Sequence, residues 1–331
     1  MISRTLRNGA RLAFHRLGGL RVLRWRNRRG LRILMYHRFA ASDVAALERQ
    51  CAHIRRYYAP LSMPRLVDML QADEPLPDNA AVVTVDDGHR DFLLNAWPVL
   101  RRYEIPATVY LISGFVDGEL WPWFDRVLWM FTNTPLRSAE ITVAGQRMAL
   151  DLAESGARSS TAQRIANLLP DLSSAEQAEI IAELPERLKV TVPAQAPPEY
   201  ASLSWDDARA LAREQVDFGG HTVTHPILSR ISDERQLAWE VSHSKARIEQ
   251  ELGCEAVSFC YPNGRPRDVD DAGVEAVKRA GYRVAVLAGG GLNHSCRDRF
   301  RLRRVPCGFE VGDSYFRQIM AGFRSGEHDA Q

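Results

Sequence analysis

The sequence predicts an α/β fold, a barrel-like sheet of parallel strands with helices between them. Short β-branched runs at 81–85 and 107–115 alternate with stretches of helical spacing at 91–103 and 233–252. Acids and histidines stand at the ends of the short runs, where parallel barrels gather their chemistry. At 331 residues the chain suffices for one large domain, and 45% hydrophobic residues supply a sizeable core.

The elements follow in order. Residues 32–37 read as the first strand, ending in His37. Residues 43–57 and 65–71 are helical, and a polar, proline-containing turn at 72–79 leads into the strand 82–85. Trp97, Leu100 and Tyr103 give residues 91–103 helical spacing, and 107–115 is a third buried strand. The alternation then stops. Residues 117–200 contain LWPWFDRVLWMF, a hairpin candidate at ITVAGQRMAL and a helical pair, the second opened by Ser173 and Glu176 as a capping box. We read this stretch as an insertion on the scaffold, closed by the proline-rich VTVPAQAPPEY. Its Trp121, Trp123 and Trp129 suit a packed cluster that anchors the insertion; a sugar-stacking platform is the other reading. Alternation resumes with a helix at 204–214, capped by Ser204 and Asp207, and a strand at 216–218. A long helix at 233–252 stops at Gly253. Strand 256–261, helix 269–280, strand 283–287, strand 300–305 and helix 314–323 complete the chain.

Two stretches carry the chemistry. In AVVTVDDGHRDF (81–92) a buried strand runs into Asp86 and Asp87. Two carboxylates at the end of a buried strand need compensating charge. Successive strand side chains point to opposite faces, so both acids serve one site only if the chain turns there. Gly88 permits that turn. Alone, the stretch also fits a solvated Asp-Gly turn. In VDFGGHTVTHP (216–226) a short strand runs into His221 and His225, which share a face if the backbone makes a helical turn. Two imidazoles with a carboxylate form a ligand set for a divalent first-row metal, usually zinc.

At these residues TVDDG (84–88) and HTVTH (221–225) resemble the first two motifs of the polysaccharide deacetylases, carbohydrate esterase family 4 or the NodB-homology domain. FCYPNG (259–264) is similar to the family's next motif, and LMYHRF (34–39) to the start of its bacterial exopolysaccharide-type members. The resemblance covers residues 32–116 and 202–322. It implies a distorted (β/α)7 barrel at 32–322 with a partly helical insertion at 117–200, between a basic extension at 1–31 and a polar tail at 323–331. It implies Asp87, His221 and His225 as metal ligands, with Zn2+ first and Co2+ or another divalent ion as alternatives. Asp86 is then the general base on the attacking water, or else orients a ligand. A backbone N–H at Asn263 is placed beside the developing oxyanion. Two departures from the family pattern stand out. The third motif lacks the arginine that braces the base, and Arg304 on the last strand is the candidate replacement. The strand RLRRVP lacks the late histidine that serves as general acid, which leaves His37 and His294.

The expected activity is removal of N-acetyl groups from N-acetylhexosamine units of a polysaccharide, oligosaccharide or lipid-linked glycan. A deformylase or other amidohydrolase acting on a small or lipid-carried sugar is the enzyme alternative. A sugar-binding or assembly protein on the same fold is the non-enzyme alternative, and complete DD and HxxxH motifs argue against it.

Charge and cysteine usage bound the rest. A net charge of +2 gives no case for nucleic-acid binding. Cys51, Cys254, Cys260, Cys296 and Cys307 are odd in number and lack a CxxC, so reduced thiols in the cytoplasm are expected. Residues 1–42 hold eleven arginines and no acid. No apolar run there approaches the ~20 residues of a spanning helix, and no signal-peptide pattern is visible. Leu6, Ala10, Phe14 and Leu17 form an apolar stripe among Arg4, Arg7, Arg11 and Arg16. Residues 1–28 are expected to lie on the anionic inner face of a membrane, or to form a frayed or externally packed basic tail.

Overall fold

The computed structural model describes residues 18–143, 145–310 and 312–323. The stripe at Leu6, Ala10, Phe14 and Leu17 lies outside them. The strands are β1 (Arg32–Tyr36), β2 (Ala59–Pro60), β3 (Ala80–Val85), β4 (Ala107–Leu111), β5 (Ser138–Val143), β6 (Gln146–Asp151), β7 (Val216–Gly220), β8 (Ser258–Cys260), β9 (Val284–Gly290) and β10 (Leu302–Pro306). The helices are α1 (Gly19–Arg26), α2 (Val44–Tyr57), α3 (Met63–Gln71), α4 (Trp97–Arg102), α5 (Ser113–Val116), α6 (Trp123–Asn133), α7 (Ser155–Leu168), α8 (Ser174–Arg187), α9 (Trp205–Arg213), α10 (Glu234–Leu252), α11 (Asp271–Arg279) and α12 (Gly312–Met320).

Parallel pairing runs β1-β10-β9-β8-β7-β4-β3, and β3 pairs back onto β1 from Arg32↔Ala81 to Tyr36↔Val85. The sheet therefore closes into a distorted (β/α)7 barrel, with β2 as a short extra pairing at the start of β3. Both faces of the strands are buried, which is why they read as unbroken apolar runs. Ile33, Val82, Tyr110, Cys260, Val284 and Leu302 fill the barrel. Leu34, Val83, Val85, Val109 and Phe218 face the helices. Tyr110 reaches across the interior; a Cβ on Gly219 would stand 2.6 Å from its ring, so β7 carries glycine there.

One local expectation is corrected. Residues 91–103 are not one regular helix: Phe92–Ala96 form a π-type turn before α4. Pro98 lacks an N–H and crowds the carbonyl of the preceding turn, which accounts for the wider winding. The 117–200 stretch has an apolar core of its own, in which Val127, Phe131, Ile141, Ile165 and Leu184 pack together across α6, β5, α7 and α8.

One acid sits badly in this barrel. Val216 and Phe218 face the helices, so Asp217 between them points inward. Its Oδ2 has no hydrogen-bond partner among the described residues. Burial pushes its carboxyl up to about 7, against the pull of the Met63 backbone. A raised carboxyl pKa means that the folded state holds this proton more tightly than the unfolded chain. The stability it contributes is full below the unfolded pKa near 4 and lost as pH rises through about 7. Asp217→Asn should therefore melt higher than the parent above pH 7, with the gap closing toward pH 4. A gap independent of pH in thermal melts would refute this account.

Candidate active site

The chain turns one residue earlier than Gly88 alone suggests. Asp87 itself is left-handed (φ 73°), followed by Gly88 (φ 87°), whose added Cβ would stand 2.7 Å from Leu111. This turn sends two adjacent acids to two neighbouring subsites, and both are buried, at 2% and 4% exposure.

Asp86 faces the barrel axis. Arg304 donates to both its oxygens, Nη1 to Oδ1 at 2.6 Å and Nη2 to Oδ2 at 2.7 Å. The expected brace on the last strand is thus in place. Burial opposes charge on Asp86, but the Arg304 guanidinium outweighs it and holds the carboxyl below its usual range. His37, half-exposed just past β1, brings Nε2 to 3.5 Å from Asp86 Oδ2. His294 lies at the other end of the barrel, against Gly30 ahead of β1. Of the two lone histidines, only His37 reaches the acids.

The helical turn expected for HTVTH does not form. Thr222 and His225 are both left-handed (φ 66° and 64°) and the segment is irregular. Side chains satisfy its backbone instead. The Thr222 hydroxyl accepts the His225 N–H at 2.9 Å. Buried Glu240 on α10 accepts the Val223 and Thr224 N–H groups, each at 2.9 Å, and bonds the Thr224 hydroxyl. Left-handed non-glycine residues cost about 1–3 kcal/mol each, so this framework is what holds the turn.

The two rings nevertheless meet. Their Nε2 atoms are 3.2 Å apart, and Asp87 Oδ1 stands 3.5 Å from His221 and 3.8 Å from His225. Ligands ~2.0–2.1 Å from a tetrahedral ion stand ~3.3 Å from one another, so this set fits a divalent cation. His221 Nδ1 donates to the Cys260 carbonyl at 2.7 Å, which turns Nε2 inward. Asp86, His221 and Cys260 form a second close group. There, burial pushes the Cys260 thiol up, disfavouring the thiolate that a metal needs.

The imidazoles share their site unequally. Burial and the facing His221 push His225 down to about 3. Burial also works against charge on His221, but the Asp87 carboxylate beside it raises its pKa. Asp87 stays well below the carboxylate range despite burial, held there by His221, His37, His225 and His89.

Asn263 sits three residues past Cys260 in a left-handed turn (φ 60°). Its amide side chain is tied to Asp268, leaving the backbone N–H as the group of interest. The tryptophans divide. Trp121 packs with Trp129 and Tyr200 as an anchor cluster. Trp123 lines a groove of about 360 Å³ with Arg126, Ser174, Gln177 and Ile181. Its neighbour Phe124 presses its ring on His225, centroids 5.3 Å apart. Sequence reasoning missed Glu240, His89, Asp125 and Arg38; for His89 and Arg38 the available signal was adjacency to Asp87 and His37.

A parallel barrel with paired acids and two imidazoles at the carboxyl ends of its strands defines a hydrolase-type barrel. The chain belongs to the polysaccharide deacetylase family, whose sequence model matches residues 73–285, a family of hydrolases acting on carbon–nitrogen bonds. It is 32% identical over 81 residues to the poly-beta-1,6-N-acetyl-D-glucosamine N-deacetylase of Escherichia coli (strain K12), a match spanning 24% of this chain and 12% of that enzyme. The fold is similar to the Streptococcus pyogenes deacetylase PplD solved with acetate (TM-score 0.56, 17% identity, 88% of this chain and 98% of that one). It is equally similar to IcaB from Ammonifex degensii (TM-score 0.56, 16% identity, 89% and 96%).

The raised pKa of His221 favours its protonated form, whereas a bound metal needs the neutral ring, so zinc binding should release protons and weaken as pH falls. Calorimetry in buffers of different ionisation enthalpy checks this. A binding heat that does not change with buffer would count against the assignment of His221.

Proposed function

We propose that the chain is a metal-dependent N-deacetylase acting on N-acetylhexosamine units of a glycan. The observation that carries the reading is the meeting of Asp87, His221 and His225 beside the Arg304-held Asp86. Asp87, His221 and His225 would hold the ion, zinc first and cobalt second. Such an ion, when bound, polarises the acetamide carbonyl and acidifies water. Asp86 accepts the proton of the attacking water; its pairing with Arg304 keeps it ionised and ready to do so. His37, open to solvent and next to Asp86, hands a proton to the leaving amine. The Asn263 N–H supports the oxyanion. Chemically, a formyl or other acyl amide on a sugar fits the same groups, and acetate release measured against formate release separates the readings.

Asp86→Asn keeps volume and loses basicity. It should retain zinc and lower turnover by ~100-fold or more. Undiminished kcat with zinc bound would remove Asp86 from the base role.

A second feature supports peripheral contact with an anionic membrane. On α1, Val22 and Trp25 are both 66% exposed, one turn apart and flanked by Arg21, Arg24 and Arg26. Among the described N-terminal arginines, Arg28 pairs with Asp78, Arg32 is buried against the Met320 and Gly30 carbonyls, and Arg38 is bound at the active site. No helix among the described residues is long and apolar enough to cross a membrane. Because α1 precedes β1, its face lies at the end of the barrel opposite the acids. Trp25→Ser with Val22→Ser should weaken sedimentation with anionic vesicles at low salt by several-fold while leaving zinc content intact. Equal sedimentation of parent and variant would end this reading.

A further inference from the structure

We propose that the groove lined by Trp123 and Arg126 is a subsite for a second sugar of the glycan, so that the substrate is a chain and not a single hexosamine. The inference rests on the deacetylase reading and adds the length of the substrate to it. The groove, of about 360 Å³, lies between the first turns of α6 and α8. Trp123 and Arg126 stand one turn apart on α6, and Ser174, Gln177 and Ile181 line the facing side from α8. Binding sites of this size are mostly apolar, with a few polar groups that fix orientation. Here the half-buried Trp123 ring supplies an apolar wall. The side chains of Arg126, Ser174 and Gln177 make no hydrogen bond or ion pair among the described residues, so their polar atoms are free to meet a ligand. Arg126 only donates, whereas Ser174 and Gln177 both donate and accept. Sugar hydroxyl and acetamide groups match that mixture; an anion, which only accepts, uses half of it. The flat C–H face of a pyranose ring suits an indole, which is apolar over its breadth.

Two sets of contacts fix the groove beside the proposed reaction centre. On the α6 side, Trp123 packs edge-on against Phe124, centroids 5.7 Å apart, and Phe124 packs on His225 at 5.3 Å. Asp125 anchors the same turn, with Oδ2 2.7 Å from Nε2 of buried His89 and Oδ1 3.3 Å from Arg38 Nη1. On the α8 side, the residues that lead into the helix are tied to loops at the carboxyl ends of the strands. Arg230, beyond His225, donates to the Pro170 and Leu172 carbonyls. Arg265, just past Asn263, pairs with Asp171 at 2.8 Å. The groove thus begins two ring contacts from a proposed metal ligand. Binding energy from a sugar seated there raises kcat/KM only for substrates long enough to reach it.

Acetate release from N-acetylglucosamine and from its β-linked tetramers, with zinc supplied, tests this, alongside calorimetric binding of the tetramers. The parent should show a higher kcat/KM on a tetramer than on the monosaccharide. Trp123→Ala should lower the tetramer value by about 10-fold and the monosaccharide value much less, so that their ratio falls. Arg126→Ala and Gln177→Ala should shift the ratio the same way, and Trp123→Phe, which keeps a ring, should retain most of it. Ile165→Ala, in the insertion's core and outside the groove lining, controls for loosening of the insertion. The proposal fails if the parent handles both lengths alike, if Trp123→Ala lowers both by one factor, or if Ile165→Ala changes the ratio as much. Should Trp123→Ala misfold, Arg126→Ala and Gln177→Ala decide by the same ratio. Failure of the deacetylase reading looks different: no acetate is released at any length. Calorimetry then decides the groove alone. Tetramer binding weakened by Trp123→Ala upholds it; absent binding, or binding that Trp123→Ala leaves intact, rejects it.

Discussion

The mouth of the barrel depends on one buried ion pair, Arg304 with Asp86. An arginine has five N–H donors in a fixed plane, and here each finds an acceptor. Nε reaches the Leu287 carbonyl, Nη1 the Thr84 hydroxyl and Asp86, and Nη2 Asp86 and the Cys260 sulfur. Burying two charges costs several kcal/mol per ion and is recovered only when the geometry is this complete. The acceptors come from or directly after β3, β8 and β9, while the arginine comes from β10. One side chain therefore ties together four strands of the closed sheet. Losing it would leave Asp86 buried and uncompensated, a penalty of about 3–5 kcal/mol.

That pairing also separates the two acids. Asp86 is committed to a cation supplied by the protein, so it stays charged with no other ligand present. Asp87, turned aside by its left-handed backbone, has no arginine partner among the described residues. It faces three imidazoles instead, His221, His225 and His89. Such a carboxylate is held ionised by the imidazoles around it. Identical side chains one residue apart thus acquire different chemistry from a single change of backbone hand.

Much of this was legible in the sequence, for identifiable reasons. Strands buried on both faces read as β-branched runs, and acids or histidines at their ends stand out against that background. Arg304 was the natural brace because the third motif offered none. The HTVTH turn misled because an i, i+4 spacing implies a helix only when the backbone bonds to itself. Here its donors go to Thr222 and Glu240, and Glu240 belongs to a helix whose polar residues read as an exposed face. His37 and His294 both neighbour strands, yet nothing local reveals that the chain after β9 folds back to the start of β1, where Asn293 bridges Leu31. Asp125 was invisible because it lies in the insertion, outside any motif, and acquires its meaning only through His89.

The insertion completes the site by a different kind of force from the one that built the barrel. Its apolar residues pack with one another, as a cluster separate from the barrel's two cores. Its ties to the scaffold are largely polar, and they come from loops at the carboxyl ends of three strands. Arg38 after β1 holds Asp125 and the Glu199 carbonyl. Arg230 after β7 donates to the Pro170 and Leu172 carbonyls. Arg265 after β8 pairs with Asp171 at 2.8 Å, and Arg267 with the same acid at 2.7 Å. Partly exposed pairs of this kind contribute little each and are screened by salt. The exception is the buried contact of Asp125 with His89, where the wall meets the acids directly. Phe124, whose ring packs on His225, rides on the same helix as that carboxylate.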